Sequence, residues 1–281
     1  MSITIYYAAG CVRCKIANQF LKERSLTYRE HDALGQGRGA FRSFYQTHRQ
    51  KIYRGPEGIE FPIYYDGEII RQGLPAVVAH LVAGPALNGF FKPGKRHGQW
   101  LDGIHISDGD PIYGADLLEV LNYLKKRNFK IQIDTNGVNA DLLESVLDRK
   151  LADCVIMEVK GPLELYGSIL QQPMDPAEIE KSIALVSNCR HYRFITTIAP
   201  VRRDEADPAP ISYITPAEVA EAAKLVKQAT GDNRQPYFLR LFDPKTASDE
   251  RLRALDALNQ NTLLKYRSVA RKHQFKTEIQ I

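Results

Sequence analysis

The chain has 281 residues, 44% of them hydrophobic and 25% charged, a balance that suits a globular protein and excludes a fibrous or disordered one. No apolar run approaches the ~20 residues that a membrane-spanning helix needs, and the N-terminus lacks the basic and apolar segments of a signal peptide, so a cytoplasmic, membrane-free protein is expected. The net charge of +5 is uneven: residues 1–84 carry 11 Lys/Arg against 7 Asp/Glu, a net +4, which suits either an anionic partner protein or an ordinary solvated face. No nucleic-acid-binding module is present, so no nucleic-acid partner is expected.

Ser2–Tyr7 alternates like a strand and is rich in β-branched and aromatic residues. Ala8-Ala9-Gly10 makes a turn, and from Arg13 the apolar positions Ile16, Ala17, Phe20 and Leu21 recur at helical spacing. Cys11-Val12-Arg13-Cys14 therefore lies between a strand and the start of a helix. It is the only close pair among four cysteines. A C-x-x-C at such a junction points to thiol–disulfide chemistry. Unpaired N–H groups and the positive end of the helix dipole would stabilise a thiolate on Cys11, with Arg13 adding positive charge. Cys14, one turn into the helix, would resolve the mixed disulfide. A zinc half-site is the alternative, but it needs two more ligands, and neither the lone Cys154 and Cys189 nor the histidines supply that spacing. No metal site is expected.

Thr27–Asp32 reads as a second strand and Ala40–Arg49 as a helix. Phe61–Tyr65 then turns at Asp66-Gly67 into Glu68–Arg71, and Leu74–Val82 forms a closing helix. The order is β-α-β-α-β-β-α. Residues 1–84 resemble the glutaredoxin family on Tyr6-Tyr7, Cys11, Cys14, Phe61-Pro62, Asp66-Gly67 and Gly73-Leu74. The resemblance implies a thioredoxin fold, a cis peptide at Pro62, and a thiol groove made by Tyr7, Arg13, Phe61, Pro62 and Gly73. Glutathione is then a candidate reductant, although Gly73-Leu74-Pro75-Ala76 lacks the acidic residues with which glutaredoxins hold it. The partner implied is a disulfide-bearing client protein or another redox protein.

The Gly/Pro/basic stretch over 85–101 reads as a linker. From Asp102 onward strands and helices alternate. The strands are Ile104–Ser107, Lys130–Asp134, Cys154–Glu158, Tyr192–Ile198, Tyr237–Leu241 and Phe275–Ile281. The helices are Ala115–Lys126, Asn139–Asp148, Pro176–Ser187, Pro216–Gln228, Asp249–Leu258 and Thr262–His273. This alternation predicts a parallel sheet, open or curled toward a barrel, with its site at the C-terminal strand ends. The fold class is α/β: a thioredoxin fold over 1–84, a linker over 85–101, and a partial (β/α) barrel over 102–281.

The strand ends of the second part resemble the radical S-adenosylmethionine (SAM) enzymes. Ser107-Asp108-Gly109-Asp110-Pro111 is similar to their Ser-Gly-Gly-Glu-Pro motif. Asp134-Thr135-Asn136-Gly137 and Met157-Glu158-Val159-Lys160 are similar to later strand-end motifs, and Arg193-Phe194-Ile195-Thr196-Thr197 and Leu239–Pro244 to the late strands. By pattern the nearest groups are the activating enzymes of anaerobic ribonucleotide reductase and of pyruvate formate-lyase. The resemblance implies a pocket at Ser107, Asp108, Gly109, Asp110, Pro111, Asp134, Asn136, Glu158, Lys160 and Arg193; the alternative is that these residues cap helices and satisfy loop backbone. Such enzymes hold a 4Fe–4S cluster on C-x-x-x-C-x-x-C, and no such triplet occurs in this sequence. The first barrel unit reads as absent, no 4Fe–4S cluster is expected, and the changed turn at Asp108 and Asp110 argues against binding of S-adenosylmethionine.

Two functional expectations follow. One is a thiol–disulfide oxidoreductase whose second part docks a client or ligand. The other is an accessory, electron-donating subunit of a radical enzyme or reductase, or a binding protein. An incomplete barrel also predicts an open edge at Ile104–Ser107, to be covered by the linker, by the redox part, or by a second copy in a homo-oligomer. The strand from Phe275 would cover the far edge.

Overall fold

The computed structural model describes residues 2–203, 211–247 and 249–280. The chain forms two compact units, Met1–Ile133 and Asp134–Ile281.

In the first unit β1 (Ile3–Tyr7), α1 (Val12–Glu23), β2 (Tyr28–Asp32), α2 (Arg38–His48), β3 (Arg54–Gly55), β4 (Gly58–Ile59), β5 (Ile63–Tyr65), β6 (Ile70–Gln72) and α3 (Leu74–Ala83) follow one another. They are followed by β7 (Trp100–His105), α4 (Gly114–Lys125) and β8 (Lys130–Thr135), the last of which meets the boundary between units. The strand order of the first sheet is β2-β1-β5-β6. β1 runs parallel to β2 and antiparallel to β5, and β5 runs antiparallel to β6. The order of elements is as read from the sequence, with the β3–β4 hairpin added. Helix α1 forms because Cys14, Ala17, Phe20 and Leu21 put one apolar stripe against the sheet. Phe20 is 2% exposed, and burying a ring of that size stabilises by roughly 1.5–3 kcal/mol. It also meets Tyr123 of α4 edge-on, with ring centroids 4.6 Å apart.

The 85–101 stretch begins with a 3-10 turn over Gly84–Phe90. Its continuation covers the flank of β7: Phe91 bridges Ile104, and the Lys92 N–H donates to the Gly103 carbonyl at 2.8 Å. Strand β7 begins at Trp100, earlier than its apolar core suggests, and residues 106–108 are a 3-10 turn.

The second unit contains α5 (Ala140–Asp148), β9 (Cys154–Glu158), α6 (Leu163–Leu170), α7 (Pro176–Ser187), β10 (Tyr192–Ile198), β11 (Pro200–Arg202), β12 (Ile211–Tyr213), α8 (Pro216–Thr230), β13 (Tyr237–Leu241), α9 (Glu250–Arg253), α10 (Thr262–Ala270) and β14 (Glu278–Ile279). Its sheet has the order β14-β13-β10-β9, and all three neighbouring pairs are parallel. Phe194, Ile195 and Ile198 of β10 and Tyr237 and Leu239 of β13 are buried, which is why these strands read as near-continuous apolar runs. The helices are set by local signals: Asp175 caps α7 ahead of Pro176, and Thr215 with Glu218 makes a capping box at α8.

Some expected boundaries shrink. The helix expected over Asp249–Leu258 is only Glu250–Arg253. The strand expected over Phe275–Ile281 pairs only at Glu278–Ile279, beside β13; residue 281 lies outside the described residues.

Candidate functional site

In the first unit Cys11 is the N-cap of α1. Its Sγ accepts the Cys14 N–H at 3.1 Å. The two sulfurs are bonded, with Cα atoms 5.3 Å apart. Cys14 is 2% exposed, whereas Cys11 is half-buried and its neighbour Val12 is 62% exposed. An incoming sulfur therefore reaches Cys11 before Cys14.

Arg13 is not a free cation beside the pair. Its guanidinium donates to Glu60 Oε1 at 2.7 Å, to the Arg96 carbonyl at 2.8 Å and to the Trp100 carbonyl at 2.6 Å. These side chains are only 13% and 15% exposed for Arg13 and Glu60. Burial pushes the Glu60 carboxyl above the ordinary carboxylate range despite the pull of Arg13, and Glu60 Oε2 is buried without a hydrogen-bond partner. Gly73, at φ +84°, lets the chain pass: a Cβ there would stand 2.9 Å from the Glu60 carboxyl. The Gly73 N–H donates to the Pro62 carbonyl at 2.9 Å, the Phe61–Pro62 peptide is cis, and the Phe61 ring lies 5.4 Å from that of Phe41. Tyr7, on β1, accepts the Ala33 N–H through its carbonyl. Removing Arg13 leaves a buried carboxylate unpaired. Arg13→Met is therefore expected to destabilise the unit by about 3 kcal/mol, read as a lower urea midpoint with an unchanged m-value; an unchanged midpoint would show the tie to be idle.

The turn over 107–111 is also engaged. Asp108 pairs with Lys92. Asp110 caps the following turn, accepting the Ile112 N–H at 3.0 Å ahead of Pro111. Gly109 faces the Phe90 ring, where a Cβ would meet ring carbons at 2.4 Å. Ser107 lies in the 3-10 turn over Ile106–Asp108.

In the second unit Asp134 and Thr135 end β8, and the chain turns directly after them at Asn136-Gly137. Thr135 Oγ1 accepts the Gly137 N–H at 3.0 Å, Asn136 Oδ1 accepts the Val138 N–H at 3.1 Å, and the Tyr166 hydroxyl donates to the Asn136 carbonyl at 3.1 Å. Gly137, at φ +100°, packs where a Cβ would meet Met157 Cε at 2.8 Å.

Glu158, at the end of β9, is the centre of a charged cluster. Lys160 Nζ lies 2.9 Å from its Oε2 and Arg240 Nη2 lies 3.2 Å from it. The Thr197 hydroxyl donates to Oε1 at 2.5 Å and accepts from Arg240 Nε at 2.8 Å. Burial alone would raise the Glu158 pKa; the Lys160 and Arg240 charges and the Thr197 bond outweigh it and hold the carboxyl at about 2. The cluster has two cations for one anion. Register assembles it: Ile195 stands opposite Glu158, and Thr197, two residues on, stands opposite Arg240. Arg193 does not join. It pairs with Ile156, and its guanidinium lies over the Phe238 ring. Thr197 and Arg240 were not singled out as site residues from the sequence; the signal was there in polar residues near the ends of successive apolar strands.

The cysteines do not fit a three-thiolate cluster site. Cys11 and Cys14 are bonded to each other in the first unit, and Cys154 and Cys189 are the two free cysteines of the second. Burial pushes the Cys189 thiol up to about 11, which opposes its acting as a thiolate ligand. Among the described residues no group of three or more His, Cys, Asp or Glu side chains is arranged to hold a metal, and no helix is long and apolar enough to cross a membrane.

No protein-family model matches the chain. It is 29% identical over 178 residues, 61% of this chain and 68% of the relative, to a protein of Methanocaldococcus jannaschii named "Putative glycyl-radical enzyme activating enzyme". This chain is similar to an activating enzyme. That agrees with the radical-SAM resemblance of its strand-end motifs. Among solved structures, a domain of a pyruvate-formate lyase-activating enzyme from Bacteroides vulgatus aligns at a TM-score of 0.43 and 13% identity, covering 63% of this chain and 98% of that one. A structure of TYW1 with a lysine-pyruvate adduct aligns at 0.43 and 16%, covering 72% of this chain and 61% of that one.

Proposed function

We propose that this chain is an accessory thiol–disulfide protein that serves a radical enzyme. The similarity to a protein named as a glycyl-radical enzyme activating enzyme carries this reading; it favours the accessory role over a free-standing glutaredoxin-like oxidoreductase. The absence of C-x-x-x-C-x-x-C from the sequence supports a helper of activation over an activating enzyme in its own right.

Electron count and potential narrow the task. A dithiol delivers two electrons by exchange, at potentials of roughly −120 to −270 mV in redoxin-type proteins. A ferredoxin-type cluster sits near roughly −400 mV. The Cys11–Cys14 pair therefore suits reduction of a client disulfide, not delivery of one low-potential electron. In the reduced protein the Cys11 thiolate attacks one client sulfur, the client S–S bond breaks, and the departing thiolate takes a proton. The Cys14 thiolate then attacks Cys11 Sγ and frees the second client sulfur. The pair ends oxidised, to be reduced again by a cellular thiol, glutathione or a dedicated reductase, in a reducing cytoplasm. Tyr7, Phe61, Pro62 and Gly73 form the client groove in this reading. Arg13, tied to Glu60 and to the 96–100 segment, positions the cysteine loop.

The test is trapping. A Cys14→Ser protein mixed with a purified, oxidised glycyl-radical enzyme from the same organism is expected to give a mixed disulfide through Cys11, visible by mass spectrometry. The reading fails if no adduct forms while the wild type reduces insulin disulfides at the speed of a free-standing redoxin.

A further inference from the structure

Helix α2 and the residues around it carry a run of charge that the redox reading does not use. Residues 33–56 hold Arg38, Arg42, Arg49, Lys51 and Arg54 and no Asp or Glu. All five cations are exposed. Among the described residues none of them makes an ion pair. The next acids along the chain lie outside the helix: Asp32 accepts the Leu34 N–H at 3.1 Å, and Glu57 stands in the turn of the β3–β4 hairpin.

This charge works against the helix that carries it. Arg38 and Arg42 are one turn apart on one face of α2, where like charges repel. Arg49, directly after the helix, comes onto the same face three turns from Arg38. Arg38 sits in the first turn, at the positive end of the helix dipole. That turn has no acidic residue, and the N-cap, Gly37, makes no side-chain cap bond. A segment that breaks several local rules at once without a compensating contact points to a functional surface.

Its place in the fold supplies the function. Strands β1 and β2 are parallel, with Tyr7 opposite Asp32, so Cys11 and the first turn of α2 both follow the same edge of the sheet. The Ala33 N–H donates to the Tyr7 carbonyl at 2.8 Å, and the Cys11 N–H to the Ala8 carbonyl at 3.1 Å. Phe41 of α2 packs against Phe61, the residue before Pro62, with ring centroids 5.4 Å apart. Two large apolar side chains stand out on this edge, Val12 and Leu34, the latter 70% exposed. A client that reaches Cys11 therefore meets exposed apolar side chains at the cysteine and a row of cations beside it.

We propose that the Arg38–Arg42–Arg49 stripe docks an acidic segment of the client protein, next to the disulfide that Cys11 attacks. The inference rests on the thiol–disulfide reading above and adds the client's chemistry to it. Carboxylates accept from guanidinium groups in paired, charge-assisted bonds, and they relieve the repulsion that the stripe imposes on α2. A neutral or basic client would leave that repulsion standing. A nucleic acid has no disulfide to present to Cys11.

The probes are disulfide-bonded peptides that differ only in the residues beside the disulfide, all Glu, all Gln or all Lys. In single turnover with the reduced full chain, the Cys11–Cys14 pair is oxidised as each peptide disulfide becomes two thiols. At about 10 mM salt, where charges act over about 30 Å, the Glu peptide is expected to react about 10-fold faster than the Gln peptide, and the Lys peptide more slowly than both. At about 1 M salt the three rates should converge. Arg38→Gln combined with Arg42→Gln should bring the Glu peptide down to the rate of the Gln peptide, and should raise the urea midpoint of the chain. Lys265→Gln combined with Lys272→Gln removes the same charge from exposed positions of the second unit and should keep the preference. Equal rates for the three peptides at low salt, a preference that survives the double arginine variant, or a lower midpoint in that variant would overturn the proposal and leave the redox reading standing. An oligonucleotide whose binding falls in the same variant, with no discrimination among the peptides, would claim the stripe instead. No reduction of any peptide would overturn both.

Discussion

Cys11→Ser is expected to abolish disulfide reduction, whereas Cys14→Ser is expected to attack once and stall as a mixed disulfide. The asymmetry follows from position. Cys11 caps α1, where its sulfur already accepts the Cys14 N–H and where the helix dipole favours a thiolate. Cys14 lies one turn in, buried with Ala17, Phe20 and Leu21, and meets only a sulfur already attached to Cys11. Turnover of an insulin or low-molecular-weight disulfide, with reductant supplied by glutathione and its reductase and separately by thioredoxin and its reductase, measures the first variant. Mass spectrometry measures the second. Retained turnover in Cys11→Ser, or an adduct formed through Cys14 instead, would reverse the assignment. The better donor shows whether the missing acidic residues after Gly73 matter.

Acid is expected to destabilise the second unit through Glu158. The Lys160 and Arg240 charges and the Thr197 bond, working against burial, hold its carboxyl at about 2, below the ordinary 4.5. A group whose pKa is depressed by folding stabilises the fold fully above its unfolded value. The contribution is lost as pH falls through about 4.5 toward about 2. A shift of that size corresponds to about 3 kcal/mol. Urea unfolding across this range is expected to show the wild type losing that much more stability than Glu158→Gln, with the two profiles converging at the acid end. Parallel profiles would mean that the Lys160 and Arg240 contacts are worth little in solution.

The sequence made some of this legible and hid the rest for physical reasons. The strand before Cys11, the helix after it and the longer strands and helices between β7 and β13 show their periodicity, and the turn residues Asp66-Gly67 mark a hairpin; β11 and β12, with three residues each, do not. The β3–β4 hairpin has two residues per strand, too few to establish a period. Helix α6 has only eight residues, which gives its period little room to show. Arg13 read as a free charge because its partners lie 47 to 87 residues away. The Glu158 cluster was half visible: Glu158 and Lys160 are near neighbours in sequence, but Thr197 and Arg240 join only through strand register, which no local pattern encodes. Phe91 and Lys92 bond to the flank of β7 at Ile104 and Gly103, at the start of the open edge expected over Ile104–Ser107.

The most direct test of the accessory role is glycyl-radical formation. A glycyl-radical enzyme and its cluster-loaded activating enzyme, first exposed to mild oxidant, are mixed anaerobically with S-adenosylmethionine, an electron source and the reduced form of this chain. The radical is then counted by electron paramagnetic resonance. The account predicts that wild-type protein restores radical yield and that Cys11→Ser does not. Equal yields with wild type, with Cys11→Ser and with no added chain would contradict it.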